Sequence, residues 1–175
     1  MELLSYVDDV QALAAALRAR GWRLASAESC TGGLIAAACT ALAGSSDWFD
    51  RGFVTYSNQA KTEMLGVSEA LLQQHGAVSQ PVALAMVQGA LQHSHADLAV
   101  AVTGIAGPGG AVPGKPVGTV WLAWGLSTTA AGVLEPAGQA VRANWAERLQ
   151  LEGDRDAVRG ATLRAALQRL LQVVR

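Results

Sequence analysis

Apolar, β-branched runs alternate with helical patterns from one end of this chain to the other, and that order restricts the fold more than any other feature. Val7, Val10, Leu13, Ala14 and Leu17 recur at helical spacing and Gly21 follows as a stop signal, which predicts an opening amphipathic helix. WRLASA reads as a short strand, ESCTGG (Glu28 to Gly33) as a tight turn, and LIAAACTALA as a helix ending at Gly44. Phe53 to Tyr56 reads as the next strand, with Ser57 or Asn58 capping a helix that carries Lys61, Met64 and Leu65. Ser68 caps another short helix that stops at Gly76, and Pro81 stands near the start of a third, with Val82, Met86 and Ala90 on one face. LAVAVTG and VGTVWLAW are strands on either side of a glycine- and proline-rich loop. The final helix, GDRDAVRGATLRAALQRLLQVV, takes Asp154 as cap and aligns Val158, Leu163, Leu167, Leu170 and Leu171. Between Leu126 and Glu152 the pattern is harder to read. The alternation predicts an α/β fold: one three-layer α/β/α domain over residues 1–175, with a mostly parallel or mixed sheet.

Composition narrows the function classes. Hydrophobic residues make up 51% of the chain and charged ones 15%, so it can bury a core and is not a solvated disordered segment. Thirteen basic against fourteen acidic residues, with no Lys/Arg block, provide no footprint for nucleic acid. Cys30 and Cys39 form neither a disulfide framework nor a CxxC motif, which fits a reducing cytoplasm, and the acids of MELLSYVDDV do not fit an export signal. Pro116 to Leu134 is uncharged and about long enough to span a bilayer, but its glycines, Ser127, Thr128 and Thr129 favour a buried strand and polar turn over a membrane segment.

In open α/β sheets, ligands gather beyond the carboxyl ends of the strands, so the turns after WRLASA, GFVTY and LAVAVTG are expected to converge. In the first, Ser29 sits at a strand-to-helix bend resembling a nucleophile elbow, although GxSxG is absent. Gly32 and Gly33 allow close backbone approach, and N–H groups from Thr31 to Gly33 are candidates for stabilising an oxyanion. The competing reading is that Ser29 and Thr31 only cap the helix. Cys30 is a rival nucleophile, though a small buried cysteine is the commoner case.

The second turn, TYSNQAK, offers Lys61 as a candidate base for a serine, with a solvated helix lysine as the competing reading. A lysine serves only if its pKa falls from about 10.4 toward about 7 to 8. Lys61 lies in a first helical turn, where the macrodipole contributes only ~0.3–1 kcal/mol, so burial or a second cation must do the rest. Tyr56 is placed to orient or relay the proton. The third turn, TGIAGPGG, departs from GxGxxG and disfavours a dinucleotide fold. Thr103 can offer its hydroxyl to substrate there, under a closing loop. Arg155 and Arg159 are candidates for a phosphate, with pairing to Asp154 and Asp156 as the alternative. His93 and His95, two apart on a helix, make no metal site.

Together, ESCTGG, GSS, TYSNQAK, GAVS, TGIAGP, KPVGTV and GDRDAVR, in this order, closely resemble the C-terminal domain of the CinA family, which contains the nicotinamide-nucleotide amidases. The resemblance implies hydrolysis of the carboxamide of nicotinamide mononucleotide to nicotinic acid mononucleotide and ammonia, in pyridine nucleotide salvage. It also implies a three-layer α/β/α fold, a homodimer, and no metal or cofactor. Ser29 corresponds to the family's nucleophile, Tyr56 and Lys61 to its activating partners, and the loop of Thr103, Gly104, Ile105, Ala106, Gly107 and Pro108 to part of the substrate pocket. Some family members carry an additional N-terminal pyrophosphatase-like domain, for which this chain has no room. A nucleotide- or partner-binding module without turnover, and an amidase for another carboxamide, are the alternative readings.

Overall fold

The computed structural model describes residues 6–128, 130 and 141–175. Helix α1 (Val7–Arg20) is followed by β1 (Leu24–Glu28), α2 (Leu34–Thr40), a 3₁₀ turn (Ser45–Asp47), β2 (Phe49–Val54), α3 (Asn58–Leu65), α4 (Glu69–His75) and α5 (Gln80–Gln92). Strands β3 (Leu98–Gly104), β4 (Thr119–Ser127) and β5 (Val141–Gln150) and the long helix α6 (Arg155–Val174) complete it. The described strands form one five-stranded sheet in the order β2-β1-β3-β4-β5. β1 runs parallel to both β2 and β3, whereas β4 pairs antiparallel with β3 and β5 antiparallel with β4, so the sheet is mixed.

Helices cover both faces, and the strand sequences explain which helix goes where. Leu24, Leu98, Val100, Val102, Leu122 and Trp124 point toward α1, α2 and α6, where they meet Leu13, Leu17, Ile35, Leu163, Leu167 and Leu170. The alternate positions, Ala25, Ala27, Ala99, Ala101 and Ala123, face α5 and its Val82, Ala83, Met86 and Ala90. Small strand residues on that face let α5 pack close to the sheet. The helix is also pressed against α3: a Cβ on Gly89 would stand 2.0 Å from the Leu65 carbonyl oxygen. Since neither backbone yields without parting the helices, Gly89→Ala is expected to cost about 1–3 kcal/mol or more, read as a lower urea midpoint. An unchanged midpoint would refute the close crossing.

Several boundaries differ from the sequence expectations. β2 begins at Phe49 and ends at Val54, leaving Tyr56 beyond the strand, and α2 stops at Thr40 rather than running to Gly44. β5 occupies part of the stretch without a readable pattern; its ANWAERLQ core is rich in helix formers and shows strand character only through pairing with β4. Ser68 caps α4 and Asp154 caps α6 through their side chains, as predicted, and of the two residues expected for α3 it is Ser57 that caps, through its hydroxyl. Thr119–Ser127 of the uncharged stretch is strand β4; residue 129 and residues 131–134 of that stretch lie outside the described residues. Among the described residues no helix is long and apolar enough to cross a membrane.

Candidate active site

Because β2, β1 and β3 are adjacent and parallel, their carboxyl ends open on one edge, and the three expected turns converge there. Ladder-like bonds continue past the strands: Ser29 N–H donates to the Val102 carbonyl at 3.0 Å and Thr55 N–H to the Glu28 carbonyl at 2.8 Å. The turn is thereby fixed to both neighbours.

Glu28, the last residue of β1, is fully buried. Its carboxylate accepts from Ser26 Oγ (3.1 Å), Thr31 Oγ1 (2.7 Å) and the backbone N–H groups of Gly33 (3.0 Å), Ile35 (3.0 Å) and Ala36 (2.9 Å). A buried carboxylate needs this many donors, and the first turn of a helix has N–H groups without internal partners. Two expectations change as a result. Ser29 and Thr31 are not the caps of α2, whose N-cap is Gly33 with no side-chain bond, and the Gly33 N–H is not free to meet an oxyanion. Among the described residues the N–H groups of Cys30 and Thr31 make no hydrogen bond to an oxygen. Gly32 (φ 62°) and Gly33 (φ 97°) turn the chain through left-handed conformations that a side chain disfavours, which lets the helix start fold back over Glu28. A charged residue ending an otherwise apolar strand was the available sequence signal for Glu28, since a buried carboxylate must be partnered.

Ser29 and Lys61 meet directly. Lys61 Nζ donates to Ser29 Oγ at 3.1 Å and to the Thr55 carbonyl at 2.8 Å, and the lysine is 1% exposed. Burial lowers its pKa from the usual 10.5, because the ammonium loses water that only two oxygens replace. A Cys30 thiolate would oppose that shift, but burial pushes the Cys30 thiol up to about 12, so it stays protonated. Cys30 also packs its side chain against Ala106, Val120 and Val158. It fills apolar space between the serine turn, the TGIAGP loop and α6.

Tyr56 reaches the site by another route than expected. Its ring is 59% exposed and its hydroxyl accepts from Arg155 Nη2 at 2.5 Å, while Lys61 and Ser29 make no hydrogen bond to it. Arg155 Nη1 also donates to the Gly107 carbonyl at 2.9 Å, tying the TYSNQAK and TGIAGP turns to α6. The Thr103 hydroxyl, expected to face substrate, is buried and donates to the Ala77 carbonyl at 2.9 Å. Gly104 ends β3, and Ile105 and Ala106 are buried beside it, Ile105 N–H donating to the Thr119 carbonyl at 2.9 Å. Burial and this bond anchor the start of the loop to β4. Asp154 spends its carboxylate on the Ala157 N–H, and Arg159 pairs loosely with Asp156 at 3.7 Å. Among the described residues no cluster of His, Cys, Asp and Glu is arranged to hold a metal.

The sequence model of the CinA C-terminal domain matches residues 8–174. A putative competence-damage inducible protein of Symbiobacterium thermophilum is 54% identical over 165 residues, covering 94% of this chain. The chain spans only 37% of that relative's length. The nicotinamide-nucleotide amidohydrolase PncC of Escherichia coli strain K12 is 50% identical over 157 residues, 90% of this chain and 87% of the relative. Among solved structures, a CinA superfamily protein from Klebsiella pneumoniae 700603 superposes with a TM-score of 0.83 at 39% identity, covering 95% of this chain and 96% of the other.

Proposed function

Because the chain belongs to the CinA C-terminal domain family, we propose that it hydrolyses the carboxamide of nicotinamide mononucleotide to nicotinic acid mononucleotide and ammonia. The observation that carries the reading is the buried Lys61 amine 3.1 Å from the Ser29 hydroxyl. The name of the Escherichia coli relative supplies the substrate.

In this mechanism neutral Lys61 takes the Ser29 proton while Oγ attacks the carboxamide carbon. The Cys30 and Thr31 N–H groups meet the oxyanion, a role that Gly33 cannot share while Glu28 holds its N–H. The Lys61 ammonium then gives its proton to the departing nitrogen, ammonia leaves, and an ester to Ser29 remains. Water attacks that ester with Lys61 again as base, the proton passes to Ser29 Oγ, and the acid is released. Tyr56 belongs to the substrate-facing rim with Arg155 rather than to the proton path. The wider reading is a single-domain homodimer working in the cytoplasm in pyridine nucleotide salvage, with base and nucleophile both drawn from the chain. Two free buried cysteines suit a reducing compartment.

The test is ammonia release by the purified protein from nicotinamide, its riboside and its mononucleotide. Release fastest from the mononucleotide is expected. Calorimetric binding of the mononucleotide with no product after long incubation would instead identify a binding module, and a preference for free nicotinamide would identify another amidase.

A further inference from the structure

The peptide groups of the serine turn form a chain of hydrogen bonds that starts on α6 and ends at an unpaired N–H beside the nucleophile. Arg159 Nη2 donates to the Thr31 carbonyl at 2.9 Å. That carbonyl shares a peptide group with the Gly32 N–H, which donates to the Ser29 carbonyl at 3.1 Å. The Ser29 carbonyl in turn shares a peptide group with the Cys30 N–H, which makes no bond to an oxygen among the described residues. In a planar peptide the carbonyl and the N–H are opposite ends of one dipole, so a donor on the oxygen makes the N–H a stronger donor. Two peptides therefore stand head to tail between the guanidinium charge and the Cys30 N–H.

The surroundings give this chain a purpose. Thr31 is fully buried and held from both sides, its hydroxyl donating to Glu28 Oε2 at 2.7 Å and its carbonyl accepting from Arg159. Arg159 is otherwise weakly engaged: its Nε is buried without an acceptor, and Asp156 stands 3.7 Å away with a side chain 74% exposed, so water screens that pair. The Glu28 carboxylate, buried one residue before the nucleophile, opposes a second negative charge on a substrate oxygen. Arg159 supplies the opposite sign through the turn itself.

We propose that Arg159 is a positioning residue for the oxyanion hole: through the Thr31–Gly32 and Ser29–Cys30 peptides it holds the serine turn and strengthens the Cys30 N–H that meets the oxyanion. The role rests on the Ser29 amidase mechanism given above, and it requires no contact between Arg159 and substrate. It favours the tetrahedral intermediate without changing how tightly the uncharged carboxamide binds beforehand, so it acts on kcat and not on KM.

Ammonia release from nicotinamide mononucleotide and from its riboside separates this role from substrate binding. Arg159→Gln is expected to lower kcat about 10- to 50-fold on both substrates with KM within about twofold, less than the ~10²–10³-fold of losing an oxyanion donor outright. Arg159→Lys, which keeps the charge and a donor, should lose less. A second assay does not need the amide. When p-nitrophenyl nicotinate acylates Ser29, Oγ forms the new ester bond, its proton passes to Lys61 and p-nitrophenolate leaves. The acylation rate, read as nitrophenolate release, should fall by a similar factor in Arg159→Gln and by less in Arg159→Lys, which carries the comparison if the Gln variant does not fold. Unchanged kcat and acylation, a loss confined to the mononucleotide or appearing in KM, or a lower urea midpoint with no fall in acylation overturns the proposal. Ammonia from neither substrate, with normal acylation of the wild type, would sink the amidase reading and leave the ester assay to decide the role of Arg159. Absence of both activities from the wild type overturns both.

Discussion

Lys61→Met and Ser29→Ala are each expected to lower ammonia release from nicotinamide mononucleotide by roughly a thousandfold or more, and the double variant to be no worse than either. The two side chains share one hydrogen bond and act as one unit, so their losses should not add. Cys30→Ala keeps the backbone N–H and removes only apolar filling, and should retain activity within about tenfold while losing some stability. Loss in the Cys30 variant with activity surviving in Ser29→Ala would reverse the assignment.

The same lysine sets a pH dependence whose sign follows from its environment. Its folded pKa lies below 10.5 because burial disfavours the ammonium. The free enzyme's base is neutral above that folded pKa, so kcat/KM should rise with pH through it and level off before 10.5. Stability moves the same way. Between the folded and unfolded pKa values the unfolded chain binds the extra proton, so stability increases with pH across that window and is lower below it. Lys61→Met removes both dependences. A variant that retained the wild-type rise in melting temperature between neutral pH and 10.5 would show that another group is responsible.

Glu28→Ala should have the largest effect on folding. It leaves two hydroxyls and three backbone N–H groups without their acceptor in a fully buried place. Breaking a buried charged network costs about 3–5 kcal/mol, a large share of the ~5–15 kcal/mol that holds a domain together. Glu28→Gln is the sharper probe because it keeps the shape. Whichever way its amide is turned, the NH₂ meets a backbone donor: Ala36 in one orientation, Gly33 and Ile35 in the other. A lower urea midpoint together with reduced kcat is therefore expected from Gln as well, since Ser29 is the next residue and shares the turn. A Gln variant with wild-type midpoint and turnover would mean that the carboxylate does not organise the site.

Much of this architecture was legible in the sequence. Alternating periodicity sufficed for the layered fold, because one-sided helices and apolar strands have few ways to bury their faces. Capping chemistry is local, so Ser68 and Asp154 could be placed directly and the cap of α3 narrowed to Ser57 or Asn58. The convergence of the Ser29 and Lys61 turns followed from parallel strands alone. Strand β5 did not, because an edge strand of helix-forming residues is defined by its partner.

The partners of individual polar groups were decided by tertiary structure. Nothing in the local sequence distinguishes a serine cap from a serine held for attack; the distinction arises because Glu28 is driven under α2 and takes the N–H groups that Ser29 or Thr31 would otherwise have capped. The sequence could name Lys61 only as a candidate. The fall in its pKa arises where β2 and α3 bury its amine between Thr55 and Ser29, since desolvation depends on the atoms around a group and not on its neighbours in the chain. Tyr56, five residues before Lys61, belongs instead to an arginine 99 residues further along. Sequence determined which elements form and which turns meet; only the packed structure determined which donor faces which acceptor, because hydrogen bonds and burial are properties of three-dimensional neighbours.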